Sequence, residues 1–321
     1  MKKTLAAIAL LLASIAAFAQ GYPHKPIRLV APFAPGGTSE IVARSIAQEL
    51  TTQLGQTVYV ENKGGGAGTI AMTDVAKSPA DGYTLIIGHI GTLAVNPFAM
   101  VNQPYDVNRD FVPVALLARV PNLFVVNAER VPAKDLKEFI ALAKSKPGEL
   151  NYGSAGNGSA GHLAFEYLKM VTGTDIVHVP YRGTGPQLQD LLGGRLDATS
   201  AGTPALLPHI KSGKLRAIAV GTPDRIAALP DTATAAEQLG IADFETTQWY
   251  GIIAPAGTPR EIVLKLNTEI NKALRSSHVT QRYASDNLSV SIGTADDFGA
   301  FIRKEQDRWE KVVKKSGMKI E

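Results

Sequence analysis

The 321-residue chain contains no cysteine. That excludes a disulfide scaffold, a thiol nucleophile, an iron–sulfur centre, a thiolate zinc site and a lipid anchor attached through cysteine. Histidine is sparse: six residues, His24, His89, His162, His178, His209 and His278, none within an HExxH pattern. His162 and Glu166 stand i, i+4, which is one pair and not a metal site. No metal or cofactor is therefore expected. A phosphate-binding GxxxxGK run is absent, and so is a basic block. The formal charge is +4, and Lys2 and Lys3 account for two of those charges. That balance argues against a nucleic-acid partner.

Long apolar runs are absent except at the start. Met1-Lys2-Lys3 is followed by an apolar stretch from Leu5 to Phe18, broken only by Ser14, and then by Ala17-Phe18-Ala19. A basic start, a short apolar run and an A-x-A site make a secretory signal peptide over residues 1–19. The run is too short to cross a bilayer comfortably. Export to a bacterial periplasm follows, without a lipid anchor.

What is present is alternation. Ile27–Phe33, Thr57–Val60 and Tyr83–Gly88 read as strands, with helical periodicity between them through Ala43, Ala47, Leu50 and Leu54 and again near Thr69–Lys77. Thr38 or Ser39 is the expected helix cap. This β-α-β-α-β order specifies a parallel sheet. It restarts at Leu123–Val126 and continues through strands at Leu150–Gly153, Ile176–Tyr181, Ala198–Ala201 and Leu215–Val220. Helices are expected at Lys134–Lys144, around Ala164, Leu168 and Val171, at Pro186–Leu192, and from Thr203-Pro204 to Gly213. Thr258-Pro259-Arg260-Glu261 reads as a cap with proline at the first helical position. Thr294 opens a last helix carrying Phe298, Ile302, Trp309 and Val313 inward. The fold class is α/β: two lobes, each a mostly parallel sheet flanked by helices, joined by crossing strands at Phe111–Ala118 and Gln248–Ala254. One lobe takes residues 20–118 and 250–321, the other 119–249.

Two loops carry the chemistry. Ala34, Pro35, Gly36, Gly37, Thr38 and Ser39 lie between a strand and a helix, where backbone amides at a helix N-terminus attract anions. Ser154, Gly156, Asn157, Gly158 and Ser159 occupy the equivalent place in the second half. Gly156, Gly158 and Gly161 also spell GxGxxG, which keeps an exported dinucleotide-binding oxidoreductase open as an alternative. Against it, the preceding strand is short and polar, and the next strand ends in Tyr181-Arg182 without an acid. Ser159 lacks the GxSxG elbow because position 157 is Asn.

The run from Tyr22 to Val30 with Pro32-Phe33-Ala34-Pro35-Gly36-Gly37 resembles the solute-binding receptors of tripartite tricarboxylate transporters, also called Bug receptors. Val60-Glu61-Asn62-Lys63 with Gly64–Gly68, Asp81-Gly82-Tyr83, and Val179-Pro180-Tyr181-Arg182-Gly183 through Gly194 are similar to that family too. So are Gly213-Lys214-Leu215-Arg216 and Ala254–Pro259. The resemblance implies a monomeric periplasmic binding protein, not an enzyme, that closes two lobes on a small carboxylate and delivers it to membrane permease subunits. Di- and tricarboxylates, acidic amino acids and aromatic carboxylates all belong to that class. It also implies that Gly91, Thr92 and Thr203 face the cleft. Glu40 departs from the family, which usually places Asp there.

Overall fold

The computed structural model describes residues 21–320; the signal-peptide segment lies outside them. The chain first runs through β1 (Ile27–Ala31), α1 (Thr38–Leu54), β2 (Val58–Asn62), α2 (Thr69–Ala76) and β3 (Thr84–His89). Short α3 (Asn96–Ala99) and α4 (Val107–Asp110) lead into β4 (Phe111–Val120). Then come β5 (Asn122–Asn127), α5 (Leu136–Ser145), β6 (Asn151–Ser154), α6 (Ala160–Thr172), β7 (Val177–Pro180) and α7 (Thr184–Leu192). They are followed by β8 (Ala198–Gly202), α8 (Thr203–Lys211), β9 (Leu215–Val220) and α9 (Ala235–Leu239). The chain ends through β10 (Gln248–Pro255), α10 (Arg260–Ala273), α11 (Ser277–Ser285), β11 (Ser289–Val290) and α12 (Ala295–Ser316).

Two sheets result. The first has the order β11-β4-β10-β3-β1-β2, the second β7-β6-β8-β5-β9. β2, β1, β3 and β4 point one way, opposed by β10 and the two-residue β11. In the second sheet only β5 runs against its neighbours. Each sheet is therefore mostly parallel in direction, with the reversed strand inserted where the chain changes lobe. Pro121 alone separates β4 from β5, so one extended segment serves both sheets. Gln248, at the start of β10, pairs with Val120 at the end of β4.

The apolar runs that read as strands are buried on both faces, as a helix-covered parallel sheet requires. In the first sheet Leu29, Leu85, Ile87 and Ile252 share one core, and Val30, Ile86, Trp249 and Ile253 the other. In the second, Phe124, Tyr152 and Ala198 face one way, and Leu123, Val125 and Val220 the other. The C-terminal helix α12 returns to the first sheet. Thr294 caps it through a reciprocal bond with Asp297, and Phe298, Ile302, Trp309 and Val313 are buried.

Two helix starts differ from expectation. The N-cap of α1 is Gly37, with Thr38 and Ser39 already in the first turn and buried. The loop's extended entry ends one residue earlier than side-chain preference suggests. α10 is capped by Pro259, whose carbonyl accepts from Ile262 and Val263; the Thr258 hydroxyl instead donates back to Pro255 O at 2.8 Å.

Gly251 sits mid-strand in β10, and a Cβ there would overlap the Phe298 ring and lie 2.8 Å from Ala115 O. Gly251→Ala should therefore cost about 1–3 kcal/mol by overpacking. Phe298→Leu in the same chain should recover part of that loss, a non-additivity that denaturant titration of both single and double variants measures.

Candidate ligand-binding cleft

Between the sheets, four helix starts converge. The first turn of α1 (Thr38, Ser39), the cap and first turn of α6 (Ser159, Ala160, Gly161), Thr184 at the start of α7 and Gly202 before α8 line one cavity. It measures about 30 Å³, room for about two waters. His89, Gln248 and Tyr250 complete its wall, and no Lys, Arg, Asp or Glu side chain lines it. An anion there would be held by dipoles, chiefly those of the helix starts, and by no ionic side chain. Phe33 and Ala155 line both this inner cavity and a larger outer cleft of about 1130 Å³. The outer cleft carries Ile70, Met100, Val101 and Tyr181, together with Arg182.

The first glycine loop meets the second lobe directly. Ala34 N–H donates to Arg182 O at 3.0 Å. A Cβ at Gly36 would lie 3.1 Å from Gly185 Cα, and one at Gly37 3.2 Å from Thr184 Oγ1. Gly36 also has φ +91°, a region other residues rarely adopt. The side chain of Glu40 turns back to accept from Gly36 N–H at 2.7 Å and to pair with Arg44. It supports the loop and does not line the cavity.

The second loop rests on a column of rings. Phe165, Tyr152, His178 and His162 succeed one another at centroid distances of 4.2, 4.8 and 4.3 Å. His178 Nε2 lies 2.6 Å from Ser154 Oγ, which in turn accepts from Gly156 N–H. His162 Nδ1 accepts from Gly158 N–H at 3.1 Å. Glu166 is engaged by Tyr152 and Lys169, so the i, i+4 pair with His162 is structural. Among the described residues no group of three or more metal-ligating side chains occurs.

The residues singled out from the sequence separate by position. Thr38, Ser39 and Ser159 line the inner cavity, with Ser159 Oγ also accepting from His162 N–H as the α6 cap. Gly156 and Asn157 line the outer cleft. Ala34, Pro35, Gly36 and Gly37 form the contact with Arg182–Gly185. Gly91 abuts Gly158 across the lobes, and Thr92 is fully buried behind His89. Ser154 and Gly158 brace the second loop. Thr203 faces away from the cavity: its amide donates to Pro121 O and its hydroxyl to Asp286 O. His89, Gln248, Tyr250 and Thr184 were not singled out. Their signal is three-dimensional, since they come from three elements far apart in sequence: β3, α7 and β10.

Two α/β lobes enclosing a buried cavity of helix N-termini define a two-lobed solute-binding protein. A family model described as the tripartite tricarboxylate transporter family receptor matches residues 42–318, and the chain belongs to that family. It is 39% identical to Protein BugT of Bordetella pertussis, covering 94% of this chain and 92% of that one. An R. palustris protein solved with adipate matches at TM-score 0.89 and 40% identity, covering 93% of this chain and 99% of that one. MatC from Rhodopseudomonas palustris with bound malate matches at TM-score 0.87 and 35% identity, over 91% and 100%. The family and these neighbours are periplasmic solute-binding receptors, not enzymes. The dinucleotide alternative is thereby overturned. Its third glycine has a packing reason: a Cβ at Gly161 would overlap Ser200 O, the same close helix–strand approach that a dinucleotide fingerprint needs. Among the described residues no helix is long and apolar enough to cross a membrane.

Burial holds His89 and His162 neutral, lowering them to about 3 and about 4. In the unfolded chain they titrate near 6.5. The unfolded state therefore takes up protons first as pH falls. Stability should be complete above about pH 6.5 and decline progressively toward pH 4. Between pH 7 and 5 each should cost about 1–2 kcal/mol. Urea unfolding across that range measures the decline, and His162→Gln, which keeps an acceptor for Gly158, should remove one histidine's share of it.

Proposed function

We propose that this receptor captures a small carboxylate between its lobes and hands it to the membrane permease of a tripartite transporter. The observation that carries the reading is the set of four helix starts meeting in one uncharged cavity. A carboxylate head placed there would receive amide hydrogen bonds from both lobes while its body extends past Phe33 into the outer cleft. Adipate and malate in the two similar structures support the class. Ala34–Ser39 and Ser154–Ser159 supply the loops, with lobes at residues 20–118 plus 250–321 and 119–249. Gly91, Thr92 and Thr203 act from behind the walls. The mature chain works as a periplasmic monomer, exported through cleavage of residues 1–19, and needs no cofactor.

The geometry makes binding and closure one event. The α1 start belongs to the first lobe, and those of α6, α7 and α8 to the second, so only the closed form offers all four to one anion. A ligand shifts the equilibrium by its differential affinity for closed over open, and no further.

A thermal-shift screen of aliphatic, aromatic and amino-acid carboxylates tests this. A binder at 100 times its Kd should add about 2.7 kcal/mol, roughly 4 °C for a chain of this size. Gly37→Val, whose side chain would strike Thr184, should remain folded and lose the shift. A folded Gly37→Val variant that responds normally, or a response only to uncharged ligands, would refute the reading.

A further inference from the structure

His89 ends β3 with an unusual hydrogen-bond balance. Its Nδ1 accepts from Gly91 N–H at 2.8 Å. In neutral imidazole the other nitrogen then carries the proton. That nitrogen, Nε2, is buried and without a hydrogen-bond partner in the described structure, on a residue only 3% exposed. Thr92 fixes the same residue's backbone, with its Oγ1 accepting from His89 N and donating to His89 O. The ring is held between Phe33 and Tyr250, at centroid distances of 4.8 and 6.2 Å, and lines the inner cavity. An unpaired buried N–H is costly, and a ligand oxygen would relieve that cost.

The neighbouring polar side chains are bonded to one another and carry no charge. Tyr250 donates to Gln248 Oε1, Gln248 Nε2 donates to Asn122 Oδ1, and Asn122 Nδ2 donates to Ser200 Oγ at 2.7 Å. The acid closest in sequence to the α1 start, Glu40, is occupied by Gly36 and Arg44. An ammonium beside the bound carboxylate would thus meet helix N-termini and an imidazole N–H, with no acidic side chain lining the cavity.

We propose that His89 Nε2–H donates to an oxygen adjacent to the ligand's carboxylate. The inner cavity thereby accepts 2-hydroxy acids and excludes 2-amino acids of the same skeleton. This rests on the carboxylate reading above and narrows it. Burial keeps the imidazole neutral, so the group acts as a dipolar donor and adds no charge.

The test is calorimetric titration with three matched pairs: malate and aspartate, 2-hydroxyglutarate and glutamate, phenyllactate and phenylalanine, with succinate, adipate and benzoate alongside. In a pair that binds, the hydroxy acid should bind at least tenfold more tightly than the amino acid. His89→Phe, which keeps a ring between Phe33 and Tyr250 but has no nitrogen, should reduce that preference to under threefold. His89→Gln, which keeps a donor, should retain most of it. An amino acid binding as tightly as its hydroxy partner overturns the proposal, as does an unchanged preference in folded His89→Phe. Binding of succinate, adipate or benzoate with no binding in any pair also overturns it while leaving the carboxylate reading intact. If none of the nine binds, the carboxylate reading fails and takes this proposal with it. Should His89→Phe not fold, imidazole ¹⁵N spectra of the unmodified receptor decide. An exchange-protected Nε2–H signal on adding the hydroxy acid is expected, and its absence contradicts the assignment.

Discussion

Everything in the cleft depends on how closely two backbones approach. The Ala34–Gly37 loop of one lobe lies against Arg182–Gly185 of the other, joined by the bond from Ala34 N–H to Arg182 O. Side chains would hold these segments apart, and glycine at 36, 37, 183 and 185 removes them. Only with that contact made do the starts of α1 and α7 reach the same cavity. The anion site and the closed conformation are thus one feature seen from two sides.

The same economy explains the absence of ionic side chains. A lysine or arginine in the inner cavity would bring a charge that must be desolvated on closing, at a cost of several kcal/mol. Oriented amides carry partial charge already fixed by the helices behind them. The second loop is held in shape by neutral histidines, not by ion pairs: His162 must accept from Gly158 N–H to do so. Burial in a ring column ensures that it stays unprotonated at neutral pH.

The alternation of strands and helices was legible because parallel strands covered on both faces leave short apolar runs such as Leu29–Ala31 and Leu85–Ile87. The cap of α12 was legible because Thr294 and Asp297 are three residues apart and satisfy each other. Where capping depends on backbone direction, residue preference misled: Gly37 and Pro259 cap where Thr38 and Thr258 were expected. The glycine loops announced a ligand site, yet most of their residues touch the opposite lobe or brace a loop. Thr38, Ser39, Ala155 and Ser159 are the residues of Ala34–Ser39 and Ser154–Ser159 that reach the inner cavity. His89 could not be read from its neighbours in sequence. Its free nitrogen is defined by a bond to Gly91 and by walls contributed from distant strands.

Small-angle scattering of the receptor with and without a saturating carboxylate tests the central claim most directly. The claim is that an anion shared by helix starts of both lobes closes the cleft. The account predicts that the radius of gyration falls on adding the carboxylate, stays unchanged with its amide analogue, and no longer responds in Gly36→Val. A carboxylate that binds tightly while the scattering profile stays unchanged would contradict it.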